Sequence, residues 1–277
     1  MTNNTTTDPT TETATDLAPE SHIHTNHCWW DVDQARWVCP APAGTAHTPA
    51  DRSEARLADR PLVDVRDMLV VHTAMLREFR LAPGSVRRVA IGDARRARVV
   101  AGHLRFLTDL LHHHHQGEDD LLWPLLRART SPQAVAVIDE VEDQHAALDH
   151  ELGTVERFRV AWASDPSPRT QDELAHHLEQ LHVLLRDHLE LEERALLPLA
   201  AAVLSEAEWH AVGEAGVAEM SRASLPLAFV MFAYEGDPAV LAAMLTAAPR
   251  IARVVLPAVA GRAYARRAHR VHGTARP

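Results

Sequence analysis

Four histidines in this 277-residue chain fall in four different helical segments, and two of them are followed four residues later by a glutamate. They are His72, His114 with Glu118, His145, and His188 with Glu192. Positions i and i+4 lie about 40° apart around an α-helix, so each His-x-x-x-Glu pair projects from one face. Around His188 that face also carries Leu174, Leu181, Leu184, Leu185, Ala195 and Leu199, the apolar side of a predicted helix from about Gln171 to Ala200. The stripe of His114 holds Val100, Leu107, Leu110, Leu111, Leu121 and Leu125; that of His72 holds Val65, Met68, Leu76 and Phe79; that of His145 holds Ile138, Val141, Leu148 and Leu152. All six polar side chains therefore point into an apolar interior. An unpartnered buried polar group costs roughly 1–3 kcal/mol, and a lone buried carboxylate several more. Metal ions are the partners that such a set of nitrogen and oxygen donors suits. Six ligands exceed the four of a closed zinc site, and with a bridging carboxylate they fit two ions of a harder metal such as iron or manganese. The reading is a dinuclear site inside a four-helix bundle.

The order His, His-x-x-x-Glu, His, His-x-x-x-Glu resembles the hemerythrin-like (HHE cation-binding) domain. LHHHHQGEDDLLWPLL from Leu111 to Leu126, HLELEERALLPLA from His188 to Ala200 and VVHTAMLREF from Val70 to Phe79 are similar to a bacterial subfamily of it, over about Arg60 to Ala215. The resemblance implies an up-down-up-down four-helix bundle around a non-haem, oxygen-bridged pair of iron ions, with Glu118 and Glu192 as the bridging carboxylates. The chain departs from the oxygen-carrying members in two places. Their third helix has a second histidine one turn on, where this chain has Asp149, and their His-x-x-x-x-Asp is here His188-x-x-x-Glu192, with Glu193 next. More carboxylate and less imidazole should hold ferric iron more firmly and disfavour reversible oxygen carriage.

Other metal readings are weaker. A ferritin-like bundle uses Glu-x-x-His on two helices, and Glu142/His145 and Glu179/His182 have that spacing. Glu179, however, lies about 180° from His188 on the helical wheel and His182 about 120° away, so that pair faces solvent. In the run His112 to His115 only His114 is central; His115, about 100° round the helix, is an additional ligand or a boundary residue, and His112 and His113 face outward. His103, three turns before His114, and Asp149 are read as hydrogen-bonding neighbours of the centre rather than ligands.

These helices need a scaffold, and composition supplies one. Hydrophobic residues make up 46% of the chain and aromatic residues only 5%, with Ala and Leu abundant and glycine sparse, which favours an all-α fold with a sizeable core. We divide the chain into a Thr-rich disordered tail (1–21), a Cys/Trp hairpin and linker (22–59), the four-helix bundle (60–203) and C-terminal accessory helices (204–277). In the hairpin, Cys28 and Cys39 flank three tryptophans near His22, His24, His27 and His47; zinc on both cysteines with His24 or His27 is conceivable, but the spacing matches no zinc-finger pattern. The first helix is predicted from about Pro61 to Leu81, where Ala-Pro-Gly breaks it, with a short helix from Ser85 and the second long helix from Gly92 or Asp93. Pro124 and Pro132 should bound a loop, Asp165-Pro-Ser-Pro should separate helices three and four, and Ser205 with Glu208 forms a capping box. Beyond Leu225, Pro226, Pro238, Pro249 and Pro257 should cut the chain into short apolar helices that cover the bundle or contact a second copy or a protein partner.

A formal charge of −10 offers no basic stripe for nucleic acid, the arginines from Arg250 to Arg270 being read as a solvated face. No apolar run approaches the roughly 18 residues of a membrane helix, and the first residues lack the basic and apolar parts of a signal peptide, so a cytoplasmic protein is expected. With no Ser-His-Asp order, phosphate loop or nucleotide fingerprint, function rests on the metal pair. The expectation is a protein that binds or senses dioxygen, nitric oxide or iron. The alternative is an enzyme acting on peroxide or nitric oxide, disfavoured because no acid or base beyond the ligands stands out, His103 and His115 being the candidates.

Overall fold

The computed structural model describes residues 29–31, 36–38 and 61–277, apart from 219, 222 and 247. The tail of residues 1–21 and the histidines and cysteines read as a zinc candidate, His22, His24, His27, Cys28, Cys39 and His47, lie outside the described residues, as does the linker before the bundle. Strands β1 (Trp29–Asp31) and β2 (Arg36–Val38) pair antiparallel with Trp30 opposite Trp37. The other described elements are helices.

Helix α1 spans Arg66–Arg87, with Asp67 in its first turn and Arg87 in its last, each complementing the helix dipole. It runs straight through Pro83, where the sequence predicts a break. A proline inside a helix costs about 3 kcal/mol. Here Phe79, Ala82 and Val86 around it are wholly buried, and that packing outweighs the lost hydrogen bond. Helix α2 (Ala94–Gly117) starts where expected, the Asp93 carboxylate accepting from the Arg96 amide at 2.9 Å. It does not end in a loop at Pro124. A π-helical turn, Glu118–Leu122, leads into α3 (Trp123–Arg127). Pro124 has no N–H for the carbonyl four residues back, and the wider turn absorbs the mismatch, with the Trp123 amide donating to Glu118 O five residues back.

Helix α4 (Pro132–Ser164) is capped by Ser131, and α5 (Pro168–Ala195) by a Ser167/Thr170 box, each with proline in the first turn. Leu196 interrupts the fourth helix before Pro198, and α6 (Leu197–Val203) continues it. Contacts between helix ends set the direction of travel. Gln171, at the start of α5, donates to Val86 O and Val89 O at the end of α1, 2.9 and 2.8 Å away. The Leu62 amide ahead of α1 donates to Ala201 O in α6 at 2.7 Å, and the Gly92 amide to Pro166 O at 3.0 Å joins the two loops at the opposite end. The fold is the expected up-down-up-down four-helix bundle with additional C-terminal helices.

Its core is split in two. One apolar cluster contains Met68, Leu69, Leu122, Trp123, Ile138, Val141, Leu196 and Leu197; the other contains Ala74, Met75, Leu107, Leu111, Leu148, Leu185 and Leu189. Every bundle helix crosses from one cluster to the other at the position of its predicted ligands, so a polar layer separates two apolar ones.

The capping box of Ser205 and Glu208 opens α7 (Glu206–Ala218) as expected, with reciprocal contacts of 2.9 and 3.4 Å. Helices α8 (Leu225–Phe232), α9 (Pro238–Met244) and α10 (Arg250–His272) then cover α1 and α2. Pro257 does not cut α10, contrary to the sequence reading. It lies on the exposed side, where the freed carbonyl meets water, while Ala260, Tyr264, Ala268 and Val271 bury the other face. Among the described residues no helix is long and apolar enough to cross a membrane.

Helix α7 approaches α2 so closely that a Cβ on Gly117 would sit 2.9 Å from the Gly216 amide nitrogen, a backbone atom that cannot step aside. Gly117→Ala should therefore cost about 1–3 kcal/mol, as overpacking of a tight contact does. The expected outcome is a fall of several degrees in Tm by calorimetry, with Gly153→Ala, which meets nothing within 4 Å, as the neutral control.

Candidate metal centre

The polar layer holds seven buried side chains: His72, His114, His115, Glu118, His145, His188 and Glu192. They form two groups. Nε2 of His72 lies 2.9 Å from Nε2 of His114, and Nε2 of His145 lies 3.3 Å from Nε2 of His188. Two ligand triads capable of holding a cation result, His72/His114/Glu118 and His115/His145/His188. The glutamates span them. Glu118 turns Oε1 to His114 at 3.3 Å and Oε2 to His145 at 3.6 Å, while Glu192 Oε2 is 3.7 Å from His72 Nε2 and 3.8 Å from His188 Nε2.

The outer nitrogens fix the inner ones. Nδ1 of His72 faces Glu193 Oε1 at 3.0 Å, Nδ1 of His145 faces Asp119 Oδ1 at 2.7 Å, and Nδ1 of His188 faces Gln144 Oε1 at 3.2 Å. An oxygen acceptor there holds the ring proton on Nδ1 and turns the Nε2 lone pair inward. Trp123 Nε1 donates to the same Asp119 oxygen at 3.0 Å, pinning that carboxylate in turn. Inside the ring of nitrogens, neither oxygen of Glu118 or Glu192 meets a hydrogen-bond donor, and neither nitrogen of His115 has a partner. Lone pairs converging without protons repel one another, and cations between them remove the repulsion; the residues present fit a metal pair.

Electrostatics agree. Burial, then the charges of Glu192 and Asp119, push the Glu118 carboxyl well above its ordinary range, and burial also raises Glu192. Burial and the neighbouring imidazoles hold His114, His115 and His188 well below theirs. For His72, burial opposes the charged form, but the carboxylates of Glu192 and Glu193 outweigh it and the net shift is upward.

The structure brings all six residues of the two spaced motifs and the two lone histidines together, and adds His115. That side chain stacks on His145, ring centres 4.1 Å apart, and meets His188 edge-on at 4.9 Å. The helical wheel treats the centre as a point, whereas the two triads make it an extended object. Adjacent residues diverging by about 100° can therefore reach opposite ends of it, His114 toward α1 and His115 toward α4 and α5. Five imidazoles and two carboxylates make the centre less carboxylate-rich than the sequence reading has it. Asp149 and His103 are elsewhere: Asp149 pairs with His112 at the exposed surface, 3.3 Å apart, and His103 contacts Glu78 in a separate cluster. The positioning partners Glu193, Asp119 and Gln144 each adjoin a ligand in sequence, which is the signal that could have found them.

A raised Glu118 pKa means that, without metal, the buried carboxyl favours folding while protonated and penalises it as pH rises from the ordinary glutamate range toward its own shifted value. A cation binds the ionised form and cancels that penalty. The rise in Tm on adding metal should therefore be larger at pH 7 than at pH 5, read by calorimetry with and without metal at both values. Asp119→Ala, which frees the His145 ring, should lower metal affinity about 10–100-fold with the helix content unchanged.

Comparison with known families bears on the same segment. Residues 63–200 match the family described as Hemerythrin HHE cation binding domain, a span that contains all seven converging side chains and all four bundle helices. No curated protein and no solved structure was found to match the chain. Residues 63–200 of this chain are a hemerythrin HHE cation-binding domain.

Proposed function

We propose that the bundle holds two iron ions and uses them to bind or sense a small ligand such as dioxygen, nitric oxide or peroxide. The observation that carries this reading is the pair of buried glutamates facing one another without a donor, ringed by imidazoles whose protons are held on the outside. Their donor set exceeds the four ligands of a closed zinc site and suits a borderline to hard transition metal. His72 and His114 would serve one ion, His115, His145 and His188 the other, with Glu118 and Glu192 shared. Iron bound there would supply one-electron chemistry and a coordination position open to an added ligand. The division is uneven, two imidazoles against three, so the His72/His114 side would offer an ion fewer protein donors.

The protein's own contribution is exclusion and orientation. Leu122 and Trp123 on one side and Leu111 and Leu148 on the other, all nearly inaccessible, keep bulk water from the polar layer. Glu193, Asp119 and Gln144 hold three rings at fixed tilt and retain the outer protons, so the donor atoms need little reorganisation when a ligand arrives. Binding or sensing is favoured over turnover because the imidazole that sequence reading offered as a free acid, His115, is drawn into the ligand ring, and the other, His103, lies in a separate cluster.

The test is anaerobic loading with ferrous iron, followed by metal counting and absorption spectra before and after admitting air or nitric oxide. About two irons per chain and a new charge-transfer band on exposure are expected. One zinc per chain, or no metal, would overturn the reading. Glu118→Ala or Glu192→Ala should lose metal and, with it, thermal stability; unchanged metal content and Tm would show that those carboxylates hold nothing.

A further inference from the structure

A second buried polar cluster lies six residues, about 9 Å of helix rise, beyond His72 on α1, where α10 docks. At its centre the Glu78 carboxylate accepts from the Tyr264 hydroxyl at 2.6 Å and Arg77 Nη2 at 3.1 Å on Oε1, and meets His103 Nε2 and His272 Nε2, each at 3.0 Å, on Oε2. Arg77 also donates to Met231 O at 2.9 Å and pairs with Glu235 at 2.7 Å. Arg267 Nη2 lies 2.9 Å from His103 Nδ1, and Ser85 Oγ lies 2.7 Å from His272 Nδ1. Three helices thus meet on one carboxylate, α1, α2 and α10, and Arg77 ties the end of α8 and the residues after it to them.

Glu78, His103 and His272 have ligand atoms close enough together for a metal, but the protons are in the wrong place. A guanidinium has only donors, so Nδ1 of His103 must accept from Arg267, and the ring proton sits on Nε2, pointed at Glu78. That nitrogen has no lone pair to offer. Both oxygens of Glu78 are already supplied with donors, and Arg77 and Arg267 bring positive charge of their own. This is the reverse of the arrangement around Glu118 and Glu192.

We infer that the cluster is a proton-operated clasp: with His103 neutral it fastens α10 to α1 and α2, and protonation of His103 in mild acid releases α10. A proton on Nδ1 would face the Arg267 guanidinium, donor against donor and charge against charge. The groups facing His103 and Glu78 leave no other member to act as the sensor. On α1, Arg77 stays charged, and Ser85 is a hydroxyl that can accept as well as donate, so it sets no fixed donor against His272 Nδ1. Glu235, after α8, is spent on Arg77. On α10, Tyr264 is held protonated by burial and the Glu78 charge, and Arg270 adds to the positive field around Arg267. Glu78 stays ionised, because although burial opposes its charge, His103, His272 and Arg77 hold its carboxyl far below the ordinary range. Burial first, then Arg267 and His272, outweigh Glu78 and keep His103 below its ordinary value. The docked state is accordingly firmest above the ordinary histidine value of about 6.5 and weakens as pH falls below it.

The experiment is amide hydrogen exchange of the full chain at pH 7.5 and 5.5, corrected for the intrinsic chemical rate, in wild type and His103→Gln. Glutamine can donate to Glu78 and accept from Arg267 but cannot titrate. Wild type should lose about tenfold of its protection across residues 250–272 at the lower pH, the change expected per unit of coupled titration, while His103→Gln holds its protection within about twofold. Equal protection of the wild type at both values, the same tenfold loss in His103→Gln, or protection that appears only with added zinc would each overturn the clasp. If His103→Gln does not fold, Arg267→Met serves: without the guanidinium a protonated His103 is tolerated beside Glu78, so the acid dependence should shrink, and its persistence would overturn the proposal.

Discussion

Burying two carboxylates and five imidazoles in one layer of a helical core is the constraint on which this structure turns. Each isolated buried charge would cost several kcal/mol, a large share of the 5–15 kcal/mol by which a domain of this kind is stable. Among the described residues no arginine forms an ion pair with Glu118 or Glu192; the arginine pairs lie elsewhere. The layer therefore suits cations, and the apolar clusters above and below it keep out the water that would otherwise solvate those charges. Outward hydrogen bonds to Glu193, Asp119 and Gln144 complete the logic by assigning the protons before any ion arrives.

The same bundle solves the problem of a buried carboxylate a second time in the opposite way. Glu78 is as inaccessible as Glu118, yet it is satisfied by the protein's own donors, two imidazoles, a phenol and a guanidinium. Residue type does not separate the two cases, because both are His/Glu clusters with ligand-like spacing. What separates them is where the protons lie, and that is set by the next partner out: an oxygen acceptor behind each of three rings at the metal centre, an arginine behind His103. The second arrangement ties the final helix to the bundle, since three of the residues that close it, Tyr264, Arg267 and His272, come from α10.

Much of the centre was readable in the chain because a helix converts spacing into direction. His114 with Glu118 and His188 with Glu192 share a face by arithmetic alone, and the leucines beside them mark that face as the inner one. His115 was not readable in the same way, because its position on the wheel is ambiguous until the neighbours of α2 are known. Pro83, Pro124 and Pro257 mislead for a related reason. Each does weaken the local helix, but Phe79 and Val86, the π-helical turn at Glu118, and Ala260 with Tyr264 respectively bring packing or a changed backbone geometry that local propensity does not contain.

What the sequence determined by itself is the all-helical fold, the four segments that carry ligands and the faces they present, because these follow from periodicity within single helices. Tertiary structure alone decided that His115 joins the centre, that Asp149 goes to the surface, that His103 belongs to Glu78, and that the final helix closes over that carboxylate from more than 180 residues away in the chain. Those outcomes depend on which side chain stands opposite across a helix interface, and no helix encodes the face of its neighbour.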